Sequence, residues 1–477
     1  MSRHTSVLLV RPRYPYGKSQ IYMPSDLIRV AAMIQTTGVN AEILDLNLHK
    51  LPSEKELRKY DAIGVGVVGP PYIPQSRKVV QEITDRSSAK VFVGGQVISH
   101  LNSDQFRRIY GEKAVQIKGD SDLGALIGSE VSPAQKTSIV GVLHNLDEAD
   151  LRLYLEREFS TFVSQGCKYN CRFCAAPKAQ SEQRSDSVVL EEELNEIAKL
   201  LRRFNFPTLK TYLSPLDLFQ NPTDIAQTLE IFIRVSRNMG VGLQLRGLSR
   251  VDSFLEAFEK IPQLRNLVAD AKLRTVGFGI DGTSERIWRL QRKAQTNLSE
   301  VERALDLCRE VGISSELLMV VGFHSDTFES LFRTYLYTVA RSLTHGSVAR
   351  PYLAKEFVPG NDNWIGGQVV TLSRIKPKDT KARVLSSPFE SQIEKLLVDP
   401  ELFANLDYAA LGSVITHPNL RNRILANLTY LALIATLEPF GKNTTYPLVP
   451  KISGDGAFAR FSNSLASLVN NLMPFDR

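Results

Sequence analysis

Five short apolar runs, each long enough for one buried strand, recur over residues 1–130 with helical stretches between them. They cover residues 6–12, 41–47, 62–68, 90–95 and 113–120. Apolar runs of this length are typical of strands buried on both faces. Five β–α units in this rhythm predict a doubly wound parallel sheet of the flavodoxin-like type, whose ligands bind in the loops at the carboxyl ends of the strands. Those loops are residues 11–23, 69–74, 94–99 and 119–122.

A second β–α series occupies residues 159–345. Its apolar runs predict strands at residues 159–165, 209–214, 241–248, 274–280 and 314–323. Before the last of these, Ser299 and Glu302 form a capping-box pattern that predicts the start of a helix, and Gly312 marks its end. Five or six such units are too few for an eightfold barrel, so we expect an open, partial (β/α)6 barrel.

Residues 131–158 and 346–477 lack this rhythm. The first segment carries few periodic signals and is interpreted as a linker between two α/β domains. The second segment favours helices from residue 400 onwards, with its strongest apolar stretch at residues 422–440. We expect a mainly helical C-terminal domain that caps the mouth of the barrel. The alternative is that this C-terminal segment forms one wall of a binding site for an apolar substrate.

The composition changes this picture little. The 477 residues are 43% hydrophobic and 23% charged, which is ordinary for a globular protein. The net charge of +7 is spread along the chain, so no nucleic-acid partner is expected, whereas an anionic small substrate would fit. No apolar run approaches the ~18–20 residues of a membrane span, and the N-terminus lacks the pattern of a signal peptide. These features predict a cytoplasmic protein without a membrane span.

Three of the four cysteines lie in one short loop, SQGCKYNCRFCAAP, as Cys167, Cys171 and Cys174. Three thiolates on one loop can bind three irons of a 4Fe–4S cluster and leave the fourth iron open. Structural zinc is the alternative, but it prefers four ligands in a closed site, and no histidine lies near the loop. Cys308 lies on the apolar face of a predicted helix, which indicates a buried core thiol.

With Phe173 as its aromatic residue, the loop reads Cys-x3-Cys-x-aromatic-Cys and resembles the signature of radical S-adenosylmethionine (radical SAM) enzymes. The resemblance implies that the amino and carboxylate groups of S-adenosylmethionine bind the open iron. It also implies that one electron from the cluster cleaves the sulfonium to a 5′-deoxyadenosyl radical. Phe173 is then a cofactor-binding residue, and a one-electron reductant such as flavodoxin or ferredoxin is an expected partner.

Four further positions resemble elements of this family. Arg250 begins an Arg-x-Asp element, Asp281 occupies the Glu place of a Gly-Ile-Glu element, and Asp326 occupies the Glu place of a Pro-Gly-Glu-Thr turn. Asp217 follows a strand whose end normally faces the methionine moiety or the substrate. The resemblance implies cofactor binding by Arg250 and Asp326, and catalytic roles for Asp217 and Asp281. The alternative for each aspartate is a helix N-cap or a solvated turn.

The N-terminal domain resembles the cobalamin-binding domain that precedes many radical SAM enzymes. The strand–Pro opening VRPRYP, the Gly94-Gly95 pair and the KGDSD segment at residues 118–122 carry this resemblance. The Asp-x-His-x-x-Gly motif that supplies a histidine to cobalt is absent from the sequence, so cobalamin is expected without that ligand. The alternative is that the N-terminal domain no longer binds a cofactor and only supports the structure of the barrel. The implied cobalamin-binding residues are Tyr14, Tyr16, Tyr22, Gly69, Tyr72, Gly94, Gly95, Gln96 and Asp120.

Together these resemblances predict a cobalamin-dependent radical SAM enzyme that methylates an unactivated carbon (or phosphorus) centre of a small molecule or peptide. One S-adenosylmethionine would methylate cobalamin, and a second would generate the radical. The alternative is a radical SAM enzyme that cyclises, ring-contracts or rearranges its substrate without methyl transfer. The alternative from another class is a non-catalytic cobalamin or redox sensor. A methylthiolating enzyme fits poorly, because it would carry a second three-cysteine site and no cysteine precedes Cys167.

Overall fold

Two parallel β-sheets, each flanked by helices, dominate the fold. The computed structural model describes residues 6–13, 22–69, 72–172, 174, 182–293, 295, 297–323, 325–353, 364–365, 368–369 and 420–437. Tyr14, Tyr16 and Phe173, three of the predicted cofactor-binding residues, lie outside these ranges.

The N-terminal sheet has the strand order β2-β1-β3-β4-β5, and all of its pairings are parallel. Its strands are β1 Ser6–Arg11, β2 Asn40–Asp45, β3 Ala62–Gly66, β4 Lys90–Gly94 and β5 Val115–Ile117. Its helices are α1 Ser25–Gln35, α2 Glu54–Leu57, α3 Ile73–Arg86, α4 Gln96–Ser99, α5 Ser103–Tyr110 and α6 Asp120–Ile127. Val7 and Leu9 face one hydrophobic core, and Leu8 and Val10 face another. The unbroken apolar runs therefore reflect burial on both faces, as predicted.

The segment between the two sheets is helical and packed. After a short 3-10 turn at Ala134–Lys136, it forms α7 Val140–Asn145 and α8 Glu148–Glu156. Leu143 and Leu151 are buried in a core that also contains residues of both sheets. These helices are too short to show a helical repeat in the sequence, so the sequence pattern indicates only a linker.

The second sheet has the order β13-β12-β11-β10-β9-β6 and is parallel throughout, which confirms the open six-stranded barrel. Its strands are β6 Phe159–Thr161, β9 Thr208–Leu213, β10 Gly242–Ser249, β11 Leu273–Gly279, β12 Ser314–Val321 and β13 Val348–Leu353. Two short antiparallel pairs accompany it: β7 Ser164–Gln165 with β8 Gln183–Arg184, and β14 Trp364–Ile365 with β15 Gln368–Val369. Its helices are α9 Ser187–Arg203, α10 Pro222–Met239, α11 Val251–Lys260, α12 Leu264–Asp270, α13 Glu285–Leu290, α14 Leu298–Glu310 and α15 Phe328–His345.

The last strand and the last described helix extend the barrel beyond residue 345, where the sequence analysis ends it. Arg350 and Pro351 interrupt the apolar pattern of β13 and hide it from sequence periodicity. Helix α16, Leu420–Leu437, packs its Leu433 and Leu437 on Ala349. Because Ala349 and Arg350 point to opposite faces of the strand, and Arg350 faces Glu316, this helix flanks the outer side of the barrel. The rest of the predicted C-terminal domain lies mostly outside the described residues, so its place at the mouth of the barrel stays a prediction. Among the described helices, none combines the length and apolarity that crossing a membrane requires.

Helix α14 begins two residues earlier than the capping-box pattern predicts. The N-cap is Asn297, whose side-chain oxygen accepts a hydrogen bond from the backbone N–H of Glu300 at 3.0 Å. Ser299 lies within the first turn and donates to Asn297 at 2.5 Å. The prediction of Ser299 as the cap is therefore wrong, because asparagine is an equally good cap and comes first along the chain. Gly312 follows the helix end with a φ of 74°, as predicted.

Candidate active site

Two adjoining cavities lie at the edge of the N-terminal sheet, and the larger one extends to the interior of the barrel. The smaller, about 360 Å³, lies against β1, β3, β4 and β5, under α1. The larger, about 650 Å³, has walls from both sheets, including Arg11 and Tyr72 on the N-terminal side and Tyr212 and Arg246 on the barrel side. Both cavities are lined by Asp26, Val30, Met33 and Asp120. The two spaces therefore form one site shared by the two sheets.

The cysteine loop leaves β7 beside this site. It turns at Gly166, whose φ of 91° favours glycine, and Cys167, Cys171 and Cys174 are all partly buried. Burial raises the pKa of the Cys167 thiol, and the neighbouring charges of Asp217, Cys174 and Cys171 raise it further, whereas a backbone hydrogen bond from Tyr169 opposes the rise. Within the described ranges, no three His, Cys, Asp or Glu side chains converge on one metal-ion position. A cubane cluster does not require such convergence, because each thiolate binds a different iron.

Arg250 lies next to the second cysteine of the loop. Its Nη1 is 3.7 Å from the Sγ of Cys171, and its guanidinium lies over the ring of Tyr169 at 3.8 Å from the centroid. Asp252 binds the other side of the guanidinium at 3.0 and 3.3 Å. Although burial opposes the charge, Asp252 raises the pKa of Arg250, which therefore remains a cation. The Arg-x-Asp element thus places a positive charge at the predicted cluster.

Asp217 is buried behind the cysteine loop, with 1% of its surface exposed. Its carboxylate accepts hydrogen bonds from the hydroxyls of Ser249 and Ser253, at 3.0 and 2.6 Å, and from the backbone N–H of Arg250 at 3.2 Å. Burial raises the pKa of this carboxyl, and the hydrogen bonds from Ser253, Arg250 and Ser249 oppose the rise. Ser253 also contacts the hydroxyl of Tyr169 at 2.8 Å. Asp217 therefore connects the end of β10 to the cysteine loop.

Asp281 is also buried, and it forms an ion pair with Lys293. The ammonium of Lys293 donates to the carbonyl oxygen of Gly279 as well. Asp281 has a φ of 54°, a left-handed conformation that aspartate tolerates better than most residues. The structure therefore places this carboxylate at the end of β11, as predicted, with its charge already paired. Its catalytic role stays a prediction.

Asp326 closes the turn between β12 and α15. Its carboxylate accepts from the backbone N–H groups of Gly322 and Phe323, at 2.8 and 2.9 Å, and from the hydroxyl of Ser330 at 2.6 Å. Thr327 is the N-cap of α15, with a capping box to Ser330. These contacts shape the turn that the resemblance assigns to the cofactor. Cofactor binding by Asp326 itself stays a prediction.

The predicted cobalamin-binding residues that the structure describes are brought to the shared site, with one exception. Gly94, Gly95, Gln96 and Asp120 line the smaller cavity, Tyr22, Tyr72 and Asp120 line the larger one, and Gly69 lines neither. Gly69 instead accepts a hydrogen bond from the N–H of Tyr72 through its carbonyl oxygen at 3.0 Å. Gly95 has a φ of 122°, and a Cβ there would lie 2.2 Å from the carbonyl oxygen of Val67. Only glycine therefore fits at this strand end.

Comparison with known proteins decides the class to which the barrel belongs. Residues 161–337 match the family model of the Radical SAM superfamily. The barrel is a radical SAM domain. The match begins in β6 and ends in α15, so it contains the cysteine loop and the strand ends described above. It confirms the class predicted from Cys167, Cys171 and Cys174. No curated protein sequence matches the chain.

Three solved structures share the fold of this chain. The radical S-adenosylmethionine methyltransferase TsrM from Kitasatospora setae, with cobalamin and a [4Fe-4S] cluster bound, has a TM-score of 0.65 and 17% identity over 99% of this chain and 100% of that chain. TsrM with tryptophan substrate and the analogue aza-SAM has a TM-score of 0.56 and 18% identity over 73% of each chain. The cobalamin-dependent S-adenosylmethionine radical enzyme OxsB with aqua-cobalamin has a TM-score of 0.58 and 13% identity over 98% of this chain and 84% of that chain. At these identities the likeness shows the fold, and it confirms the predicted fold class.

The sequence pattern did not reveal the charged residues inside the shared site. Arg11, at the end of β1, is paired with Asp45 at 3.2 Å, and Tyr154 of α8 donates to the same carboxylate at 2.9 Å. Arg246 in β10 is paired with Glu158 at 2.6 Å, 5.1 Å from the ring centroid of Tyr212. Charged residues inside strand patterns, as in VRPRYP and LQLRGL, are the signal that could have indicated them.

Proposed function

We propose that this radical SAM enzyme is cobalamin-dependent and methylates an unactivated carbon (or phosphorus) centre of a small molecule or peptide. The observation that carries the proposal is the shared site: one continuous space is lined both by the strand ends of the N-terminal sheet and by the interior of the barrel. A reaction that needs two cofactors at one substrate requires such an arrangement, because reacting atoms must approach to about 3–3.5 Å.

The residues of the cysteine loop fit a 4Fe–4S cluster. Cys167, Cys171 and Cys174 would supply three thiolates, and the buried cation of Arg250 would offset part of the negative charge that they bring. When bound, the cluster supplies the electron that cleaves S-adenosylmethionine and leaves a 5′-deoxyadenosyl radical. The loop itself is held by the hydrogen bond from the backbone N–H of Arg172 to the carbonyl oxygen of Gln291 at 3.0 Å. Gln220 adds a hydrogen bond to the carbonyl oxygen of Gly166 at 3.3 Å.

The shared site also fits cobalamin. The smaller cavity is mainly apolar and suits a heteroaromatic tail, whereas the larger cavity suits a broad ring with amide side chains. Arg29 lines the larger cavity, is 7% exposed, and carries a buried Nε–H without a hydrogen-bond acceptor, which a ligand amide oxygen would satisfy. When bound, cobalamin supplies the methyl group for transfer. That cobalt lacks a histidine ligand stays a prediction from the missing Asp-x-His-x-x-Gly motif.

A radical SAM enzyme needs a substrate and a reductant, and we propose flavodoxin or ferredoxin as the one-electron donor. We also propose a cytoplasmic location, because a reducing compartment keeps the three loop cysteines as free thiols before the cluster forms.

The deciding experiment measures how the reconstituted enzyme consumes S-adenosylmethionine. Protein loaded anaerobically with iron, sulfide and hydroxocobalamin is incubated with S-adenosylmethionine, a strong reductant and candidate substrates. A methyltransferase yields both S-adenosylhomocysteine and 5′-deoxyadenosine, since methyl donation and radical formation consume the molecule differently. A cyclising or rearranging enzyme yields 5′-deoxyadenosine without stoichiometric S-adenosylhomocysteine. Formation of neither product by the loaded protein would indicate a sensor and overturn the proposal.

The Cys171→Ala variant provides the internal control for this experiment. Loss of one thiolate removes the electron donor, so 5′-deoxyadenosine formation is expected to be abolished. Methylation of free cob(I)alamin is a polar reaction that needs no radical, so slow S-adenosylhomocysteine formation can remain. Cys308→Ala, which alters a thiol in the core, is expected to leave both products unchanged.

A further inference from the structure

Two neighbours, Asp252 and Tyr169, fix the guanidinium of Arg250 beside the sulfur of Cys171. Asp252 binds its Nε and Nη2 at 3.0 and 3.3 Å, and the ring of Tyr169 covers one face at 3.8 Å. The remaining Nη1 points to the Sγ of Cys171 at 3.7 Å, within the range of an N–H···S hydrogen bond. Arg250 is 7% exposed, so solvent screens this charge only weakly.

The backbone that carries Arg250 is fixed by the same network that holds the cysteine loop. Asp217 accepts from the backbone N–H of Arg250 and from the hydroxyl of Ser253, which in turn contacts the hydroxyl of Tyr169. One buried carboxylate therefore positions both the loop residue Tyr169 and the cation above it. A charge held this firmly at a ligand sulfur cannot move away when the charge of the cluster changes.

We propose that Arg250 raises the reduction potential of the cluster through this hydrogen bond to the thiolate of Cys171. The inference rests on the proposed 4Fe–4S cluster. Reduction adds one electron to the cluster, taken from an external one-electron donor, and no proton is transferred because Arg250 stays charged. The added negative charge is stabilised by a nearby cation and by hydrogen bonds to the ligand sulfurs, and both effects raise the potential.

This role differs from direct binding of S-adenosylmethionine by Arg250. A residue that binds the carboxylate of S-adenosylmethionine would change its affinity and leave the potential of the cluster alone unchanged. A residue that hydrogen-bonds the thiolate would shift the potential even when S-adenosylmethionine is absent. The two roles are therefore separated by measurements made without S-adenosylmethionine.

The experiment is a redox titration of the reconstituted full-length protein without S-adenosylmethionine or cobalamin, followed by the EPR signal of the reduced cluster. Arg250→Gln removes the charge and shortens the side chain. Arg250→Lys keeps the charge but replaces the planar guanidinium, with its several N–H donors, by an ammonium group. We expect the potential to become more negative in the order wild type, Arg250→Lys, Arg250→Gln. Lys168→Gln is the matched control: this cation lies 5.3 Å from the centroid of the Tyr169 ring and donates to the carbonyl oxygen of Gln220, so its removal is expected to shift the potential less.

Iron analysis makes every outcome of the titration informative. If wild-type protein holds no cluster, the proposed function fails. If Arg250→Gln holds about four irons per chain and titrates at the wild-type potential, the inference on Arg250 fails while the proposed function stands. If Arg250→Gln cannot be loaded, Arg250→Lys decides by the same criterion. Failure of both variants to hold iron would also overturn the inference, because Arg250 would then be needed to build the site.

Discussion

Arg29 in α1 and Glu193 in α9 form a buried, bidentate salt bridge that joins the N-terminal sheet to the barrel. The two nitrogen–oxygen distances are 2.6 and 2.9 Å, and Glu193 also accepts from the backbone N–H of Ile139 at 3.1 Å. The Arg29 guanidinium lies 4.9 Å from the ring centroid of Phe162. Since Arg29 also lines the larger cavity, the contact that fixes the two sheets relative to each other lies at the wall of the site.

Replacing only one residue of this pair is expected to destabilise the protein strongly. Arg29→Met leaves the carboxylate of Glu193 buried without its cation, which costs ~3–5 kcal/mol in the free energy of unfolding. The double variant Arg29→Met/Glu193→Met is expected to recover most of that loss. Chemical denaturation measures both. The control is Arg234→Gln, which breaks an exposed pair with Glu191 and is expected to cost at most ~1 kcal/mol. Equal losses in the single and double variants would contradict this account.

The three loop cysteines together are expected to hold one 4Fe–4S cluster. The Cys167→Ala/Cys171→Ala/Cys174→Ala variant should lose the ~4 irons per chain that the reconstituted wild type binds. Cys308→Ala should retain them, because Cys308 is 1% exposed and belongs to the hydrophobic core. Iron and sulfide analysis with the optical spectrum provides the measurement. Retention of iron by the triple variant would contradict the assignment of the loop.

The buried thiol of Cys308 is expected to make stability depend on pH above ~8.5, where an exposed cysteine ionises. Burial raises the pKa of Cys308 in the folded protein, so the folded state keeps a proton that the unfolded chain loses. The free energy of unfolding therefore falls by ~1.4 kcal/mol per pH unit from this group as pH rises above that of the unfolded thiol. Cys308→Ser removes this contribution. The difference in stability between wild type and Cys308→Ser, measured from pH 8 to 10, should shrink; a constant difference would disprove the effect.

A side chain at Gly95 is expected to displace the strand end that lines the smaller cavity. A Cβ there would meet the carbonyl oxygen of Val67 at 2.2 Å, so Gly95→Ala should weaken cobalamin binding at least ~10-fold, equal to ~1.4 kcal/mol. Gly111→Ala is the matched control: Gly111 has a φ of 81°, but a Cβ there meets nothing within 4 Å. Optical titration with hydroxocobalamin compares the two. Unchanged binding by Gly95→Ala would place cobalamin elsewhere.

Asp217→Asn separates a structural role of this carboxylate from a catalytic one. The asparagine amide would present N–H groups to hydroxyls that now donate to the carboxylate, which is expected to cost ~1–3 kcal/mol and to loosen the cysteine loop. Ser253→Ala removes one donor and should cost less. Denaturation and iron content are the measurements. If Asp217→Asn retains full stability and iron yet forms no product, Asp217 acts in catalysis, as the sequence analysis predicts.

Most strands of both sheets could be predicted because their sequence signal is local. Strands β1 and β3, for example, are mainly apolar runs that are buried on both faces except at Ser6 and Gly66, so pattern and burial coincide. Strand β13 escaped prediction because its inward side chain is Arg350, whose charge is neutralised by Glu316 on the neighbouring strand at 2.5 and 2.8 Å. A partner 34 positions away in the chain leaves no local pattern.

The sequence by itself determined the chemistry of the cysteine loop, the order of the β–α units and the absence of a histidine motif for cobalt. Each of these depends on residue identity and spacing over short stretches. Tertiary structure decided which buried charges meet: Arg250 with Cys171, Arg29 with Glu193 and Arg246 with Glu158. It also decided that Asp217, Asp281 and Asp326 already have partners inside the protein. A buried charge is stable only next to a specific partner, and the chain brings that partner from a distant position, so only the folded structure shows it.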